Sequence, residues 1–240
     1  MRVFLVFITF FTLTQILFGE KVKIAVGLAL PPYVLSDTNE GIELEIVKEA
    51  LLRKGHDIEL KYLPFARVVE AMKQKEVDAA MTIQESSGIT DVYYSNSHIE
   101  YQNVVVSLAE KNYKIEKISD LSNKSVLAFQ NAKLYLGEEF KNEMGKNPNY
   151  REIAQQENQV AMLFMDRADV DVVDINIFKY YKDKTTKTDT SLPIVFHEIF
   201  PKTNYKVAFK DQKIRDDFNS GLKEIKADGT YDKIFKKYIK

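Results

Sequence analysis

From Lys23 onward the apolar residues follow two alternating rhythms: short β-branched runs, and longer stretches in which they return every three or four positions. Lys23-Ile24-Ala25-Val26-Gly27 is the first run, and it leads into Pro31-Pro32-Tyr33. Prolines cannot extend a ladder and they fix φ, so this pattern predicts a strand that stops in a rigid loop. Ile42, Ile46, Ala50 and Leu51 then recur at helical spacing, with Gly55 placed as a C-cap. Alternation over 58–63 predicts a half-buried strand, and Pro64 opens a helix over 65–75 with Phe65, Val68, Val69 and Met72 in one stripe. Residues 77–83 read as a buried strand, followed by a loop closed by 93–97 and a valine-rich strand over 101–109. The same alternation continues with strands ending near 129, at 150–153 and at 170–174, each followed by a helix (133–143, 156–165 and 175–181). A polar loop over 182–191, strands at 193–196 and 205–210, and helices over 214–226 and 231–238 complete the chain.

Strands alternating with helices imply mostly parallel sheets, and open sheets of that kind place ligands at the carboxyl ends of their strands. Tyr33 is held at such an end. Two crossings, near 107–112 and 200–204, divide the chain into a discontinuous first lobe (20–107 and 203–240) and an inserted second lobe (108–202). A double connection of that kind permits a hinge that closes on a ligand.

Before Glu20, Met1-Arg2 is followed by a nearly unbroken apolar run to Phe18 and then Gly19, the pattern of a cleaved secretory signal peptide over 1–19; the alternative is an uncleaved anchor, for which the run is short. No cysteine is present, which excludes a lipid-modified cysteine anchor and thiolate chemistry. A net charge of −1 gives no basic stripe for nucleic acid, and 45% hydrophobic residues suffice for a core without disulfides. The three histidines, His56, His98 and His197, show no metal spacing. Ser86-Ser87-Gly88 lacks the flanks of a nucleophile elbow, and no phosphate loop occurs. No cofactor, metal or catalytic residue is therefore expected.

Several segments taken in order resemble the bacterial extracellular solute-binding proteins of the amino-acid type, family 3. They are Pro31-Pro32-Tyr33, the strand after Asp78, Tyr94-Ser95, Lys124-Ser125-Val126, Arg167-Ala168-Asp169 through Asp174, and Gly229-Thr230-Tyr231. The resemblance covers about 21–239. It implies the α/β two-lobed type II periplasmic binding protein fold, each lobe a mixed, mostly parallel sheet flanked by helices, with two hinge crossings.

The resemblance also suggests ligand-binding roles. In the family the aromatic after the prolines stacks on the ligand, which is Tyr33 here, and Phe65 would be a second aromatic wall. As a residue on the apolar stripe of its helix, Phe65 also reads as core. The family holds a ligand carboxylate with a threonine and an arginine; those positions fall on Glu85 and Gly88, neither of which suits an anion. A register shift brings Thr82 or Thr90 near, and Arg67, in Pro64-Phe65-Ala66-Arg67, resembles the Pro-Trp-x-Arg of divergent members and would replace the missing arginine. Its alternative is a solvated helix charge. Asp174 matches the family's ammonium partner, and as a residue before a helix it equally suits an N-cap. Asn131 stands where the family has Gly-Thr, ahead of a helix whose free amides would face the cleft. Glu85, if it faces the cleft, favours a cationic ligand.

The expectation is a periplasmic, monomeric protein that captures a small polar ligand by lobe closure and hands it to an inner-membrane ABC permease. The alternatives on the same scaffold are an enzyme resembling cyclohexadienyl dehydratases and a sensory ligand-binding module.

Overall fold

The computed structural model describes residues 21–28 and 30–239, without the side chains of Phe65 and Ala66. The expected signal segment, 1–19, and the ring of Phe65 lie outside the described residues. Strand β1 (Val22–Gly27) is followed by helix α1 (Ile42–Leu52), β2 (Ile58–Leu63), α2 (Phe65–Lys73), β3 (Ala79–Ile83) and the short β4 (Tyr93–Tyr94). Strand β1 pairs in parallel with both β2 and β3, as βαβ connections require. Tyr93 and Tyr94 lie within the segment expected to be a loop. They form a strand because β10 (Lys202–Phe209) returns antiparallel beside both β3 and β4 and supplies their partners.

The long β5 (Ile99–Leu108) carries the chain between the halves. Its first part, Ile99–Gln102, pairs with Lys202–Tyr205 of β10, and its second part, Asn103–Val106, pairs with Asp171–Asp174 of the second half. The first crossing therefore falls near Gln102–Asn103, upstream of 107–112.

Beyond it come β6 (Val126–Phe129), α3 (Ala132–Tyr135), α4 (Gly137–Lys146), β7 (Tyr150–Ile153), α5 (Gln156–Phe164), β8 (Val170–Asp174), α6 (Ile175–Lys184) and β9 (Ile194–His197). The single helix expected over 133–143 is two, because the chain breaks at Leu136 and Gly137 has a left-handed φ of 89°. Strands β7, β6 and β8 are parallel; β5 pairs antiparallel with β8 and β9. After β10, helices α7 (Gln212–Ala227) and α8 (Thr230–Tyr238) pack back on the first half. Together the strands form one continuous ten-stranded array that bends at β5 and β10.

The main core runs through the bend. It joins Ile24, Ile46 and Phe218 of the first half to Val104 and Val106 of β5 and to Leu163, Val173 and Phe178 of the second. Helix α7 approaches α1 so closely that a Cβ on Gly221 would stand 1.9 Å from the Ala50 carbonyl oxygen, so only glycine fits there. Among the described residues no helix is long and apolar enough to cross a membrane.

Candidate functional site

A cavity of about 560 Å³ opens between the halves where the carboxyl ends of β1 and β6 meet. Leu30 and Pro31 wall it from the first half. Phe129 and Gln130, the stretch Ala154–Glu157 and Tyr181 wall it from the second. These side chains arrive from the loop after β1, the end of β6, the head of α5 and the middle of α6, so only the fold brings them together. The lining offers amides, two aromatic rings and the Glu157 carboxylate, and no lysine or arginine. Lys187 lies 2.8 Å from Glu157 and holds its carboxyl below the usual range; Thr185 donates to it as well, at 3.0 Å. Glu157 is thus ionised at neutral pH, with its charge shared at the rim.

Behind the Pro-Pro loop lies a sealed polar network at the bend. Glu43, on α1, is fully buried and accepts from Thr82 Oγ1 at 2.9 Å and Tyr101 Oη at 2.7 Å, with His98 Nε2 at 2.9 Å. Tyr101 stacks on Tyr33, ring centroids 3.8 Å apart and planes 17° from parallel. The Tyr33 hydroxyl donates to Asp174 Oδ1 at 2.8 Å and accepts from Asn176 Nδ2 at 3.0 Å. Asp174 caps α6 through the amides of Asn176 and Ile177 and also accepts from the Gln102 amide on β5. The chain Glu43–Tyr101–Tyr33–Asp174 therefore crosses from one half to the other beside β5.

Burial pushes Asp174 up to about 6 even though the Ile177 amide, the Tyr33 hydroxyl and the Gln102 and Asn176 amides all favour its charged form. Burial likewise drives the Tyr33 and Tyr101 hydroxyls well above the ordinary tyrosine range, reinforced by the neighbouring carboxylates. Thr82 completes the network in an unusual backbone state, φ 61°, at the end of β3. For a β-branched residue that conformation costs on the order of 1–3 kcal/mol, and the hydrogen bond to Glu43 helps to hold it.

The structure separates the residues singled out from the sequence. Tyr33 does not wall the cavity: it is sealed in the network, and the residues before it, Leu30 and Pro31, form the wall instead. Asp174 is an N-cap with four internal donors, so the capping alternative describes its contacts. Thr82 serves Glu43. Arg67 is 54% exposed and lies 3.8 Å from Glu76, the solvated helix charge, because its position on α2 is off the buried stripe of Val68, Ala71 and Met72.

Glu85 is 63% exposed, in a single 3₁₀ turn, and pairs with Lys206 at 2.5 Å. Asn131 is exposed, with a left-handed φ of 65°. The amides expected to be free at the head of the following helix are taken: those of Asn131 and Lys133 donate to Glu152 at 2.7 and 3.4 Å. Burial alone would raise Glu152, yet Tyr150 and these amides hold it below its usual range. Metal-ligating clusters are absent among the described residues.

Sequence reasoning passed over Glu43 as the centre of the network and all of Gln130, Gln155, Gln156, Glu157 and Tyr181. For Glu43 a signal existed. It shares the face of Ile46, Val47 and Ala50 on α1, so it is a carboxylate on the buried stripe. The cavity residues carry no such mark.

Comparison with known proteins agrees with the architecture. The arginine-binding extracellular protein ArtP of Bacillus subtilis is 27% identical over 86% of this chain and 80% of its own. The arginine-binding periplasmic protein of Mannheimia haemolytica is 22% identical over 95% of this chain and 98% of its own. Among solved structures, an ancestral cationic amino acid solute binding protein superposes with a TM-score of 0.71 at 21% identity, covering 92% of this chain and 96% of that one. The GluR0 ligand-binding core in complex with L-glutamate superposes with a TM-score of 0.70 at 14% identity, covering 92% and 98%. These likenesses show a shared type II periplasmic binding fold. The model of one family matches residues 22–240, and with that match the chain belongs to the bacterial extracellular solute-binding proteins, family 3.

Proposed function

We propose that this protein captures a small cationic amino acid or a close relative of one in the cavity between its halves, which close over it by bending at β5 and β10. The single observation that carries this reading is the lining: Glu157, glutamine amides and the rings of Phe129 and Tyr181 face the space, with no basic side chain among them. Aromatic faces and a carboxylate attract a guanidinium or ammonium, and a wall without lysine or arginine offers an anionic side chain no partner. Arginine is the first candidate, because both curated relatives are named for it. In this reading the network of Glu43, Tyr33 and Asp174 sets the pivot rather than touching the solute. The protein is a binding component and no bond of the solute is broken. It is exported by cleavage of the leader over 1–19 and acts as a monomer that delivers its cargo to an ABC-type permease.

Isothermal titration of the mature chain against arginine, lysine, glutamine and glutamate tests the reading. Arginine should bind and glutamate should not, and Glu157→Gln or Tyr181→Ala should weaken arginine at least tenfold, or about 1.4 kcal/mol. Binding of glutamate in preference to arginine, or an affinity untouched by both substitutions, would overturn it.

A further inference from the structure

One acidic side chain in the second half belongs neither to the cavity nor to the network at the bend. Asp171 lies in β8, between β5 and β6, and is completely buried. Its one hydrogen-bond partner among the described residues is Gln159 of α5, also completely buried, whose Nε2 donates to Asp171 Oδ1 and, at 2.9 Å, to the Val172 carbonyl. Two acceptors around Nε2 fix the amide: turned the other way, its oxygen would face both. That leaves Gln159 Oε1 and Asp171 Oδ2 buried, each without a donor.

Two orphaned acceptors on side chains already joined through their other atoms cannot be satisfied by a carboxylate and an amide. One proton resolves both. With Asp171 as a carboxylic acid, Oδ2–H donates to Oε1 while Nε2–H donates to Oδ1, closing an acid–amide ring.

Among the described residues the surroundings offer no alternative donor. Val106 of β5 and Leu127 of β6 stand opposite Asp171 in the sheet. Helix α5 adds Val160 and Leu163 to the core over this face, and α6 adds Ile177 and Phe178. The ionisable residues on the outer strands are engaged elsewhere: Arg151 of β7 is exposed and donates to the Arg167 carbonyl, and His197 of β9 bonds Ser107. Burial accordingly pushes Asp171 up to about 7, against the smaller pull of the Gln159 amide.

We infer that Asp171 is held as a neutral acid paired with Gln159, and that its proton clamps α5 to the sheet of the second half. Losing the proton leaves a bare carboxylate facing an amide oxygen, and α5 is released. Gln156 and Glu157, the first residues of that helix, wall the cavity, so the clamp makes the cavity wall sensitive to pH.

An aspartate in the unfolded chain titrates near 3.9. Between about pH 4 and about pH 7 the folded protein therefore keeps a proton that the unfolded chain has lost. The stabilisation is full below about pH 4, declines as pH rises, and is gone above about pH 7. Asp174 contributes with the same sign up to about pH 6, so the informative quantity is the difference between wild type and an Asp171 variant.

The test is thermal and urea unfolding of the solute-free mature chain, wild type against Asp171→Asn, at about pH 4 and about pH 8. The variant offers an N–H where the acid offers O–H and cannot ionise. The two proteins should be close at the acid end. At the alkaline end the variant should be the more stable by at least tenfold in the folded-to-unfolded ratio. Difference infrared spectra near pH 6 should show a protonated carboxyl band in wild type that the variant lacks. Amides of α5 should exchange faster, beyond the intrinsic pH effect, as wild type passes pH 7, and not in the variant. Parallel stability profiles, absence of that band, or a variant weaker at both ends would overturn the inference. None of these readouts uses a solute, so failure of the titration panel leaves this test intact.

Discussion

Glu43 and Asp171 are both carboxylates cut off from water, one on a helix of the first half and one on a central strand of the second, yet their surroundings differ in kind. Three side chains converge on Glu43: the hydroxyls of Thr82 in β3 and Tyr101 in β5, and the ring of His98 just before β5. Asp171 meets one amide and is otherwise walled by valine and leucine. Desolvation is common to both, so the number of donors decides what each acid does. Glu43 organises polar groups that would otherwise be stranded where the halves meet. Asp171 has to supply a donor itself.

The contrast is sharpest where the organised site is emptied. Glu43→Leu removes the acceptor from two buried hydroxyls and a buried imidazole, and should cost about 3–5 kcal/mol in urea unfolding. Glu43→Gln keeps the shape and one carbonyl acceptor and should cost about 1–3 kcal/mol. If the two substitutions are equally mild, Glu43 is not the organising centre. Next in size is the opposite-signed response of Asp171→Asn, which should stabilise at alkaline pH because nothing around that acid depends on its charge.

The smallest effect belongs to the link between the halves. Tyr33→Phe keeps the ring on Tyr101 and removes only the hydroxyl between Asp174 and Asn176, so it should cost about 1–2 kcal/mol. Small-angle scattering of the solute-free variant would show whether that hydroxyl also holds the halves together: an increase in radius of gyration says that it does.

The order of strands and helices was legible because period, proline and glycine act locally. Val22–Gly27 and Ile42–Leu52 can be read without knowing what they touch. Asp174 was read first as a ligand contact; its cap was legible only as the alternative, since an acid between an apolar strand and a helix suits a cap wherever the strand ends. The cavity wall was not, because Leu30, Gln130, Gln156 and Tyr181 come from four separated segments and carry no charge or spacing that distinguishes them from surface residues. Tyr33, expected to face a ligand, is turned instead into the buried network. A proline pair fixes where a turn occurs, and the packing of Tyr101 decides which neighbour turns inward. Asp171 was hidden by alternation: Val-Asp-Val-Val-Asp reads as a strand with one wet face, and only a helix laid over that face makes it dry.

The route of the chain through β5 and β10 has a consequence for how the molecule can be taken apart. Everything from Asn103 to Pro201 is one uninterrupted length that carries its own parallel strands, its own helices and its own half of β5, whereas the remainder is assembled from two distant pieces. The second half is thus a cassette with neighbouring ends, at Gln102 and Lys202, held side by side by a ladder that stays behind. A short linker across those ends would leave the first half a continuous chain, and a cassette from a relative with another solute preference could be spliced into the same seam.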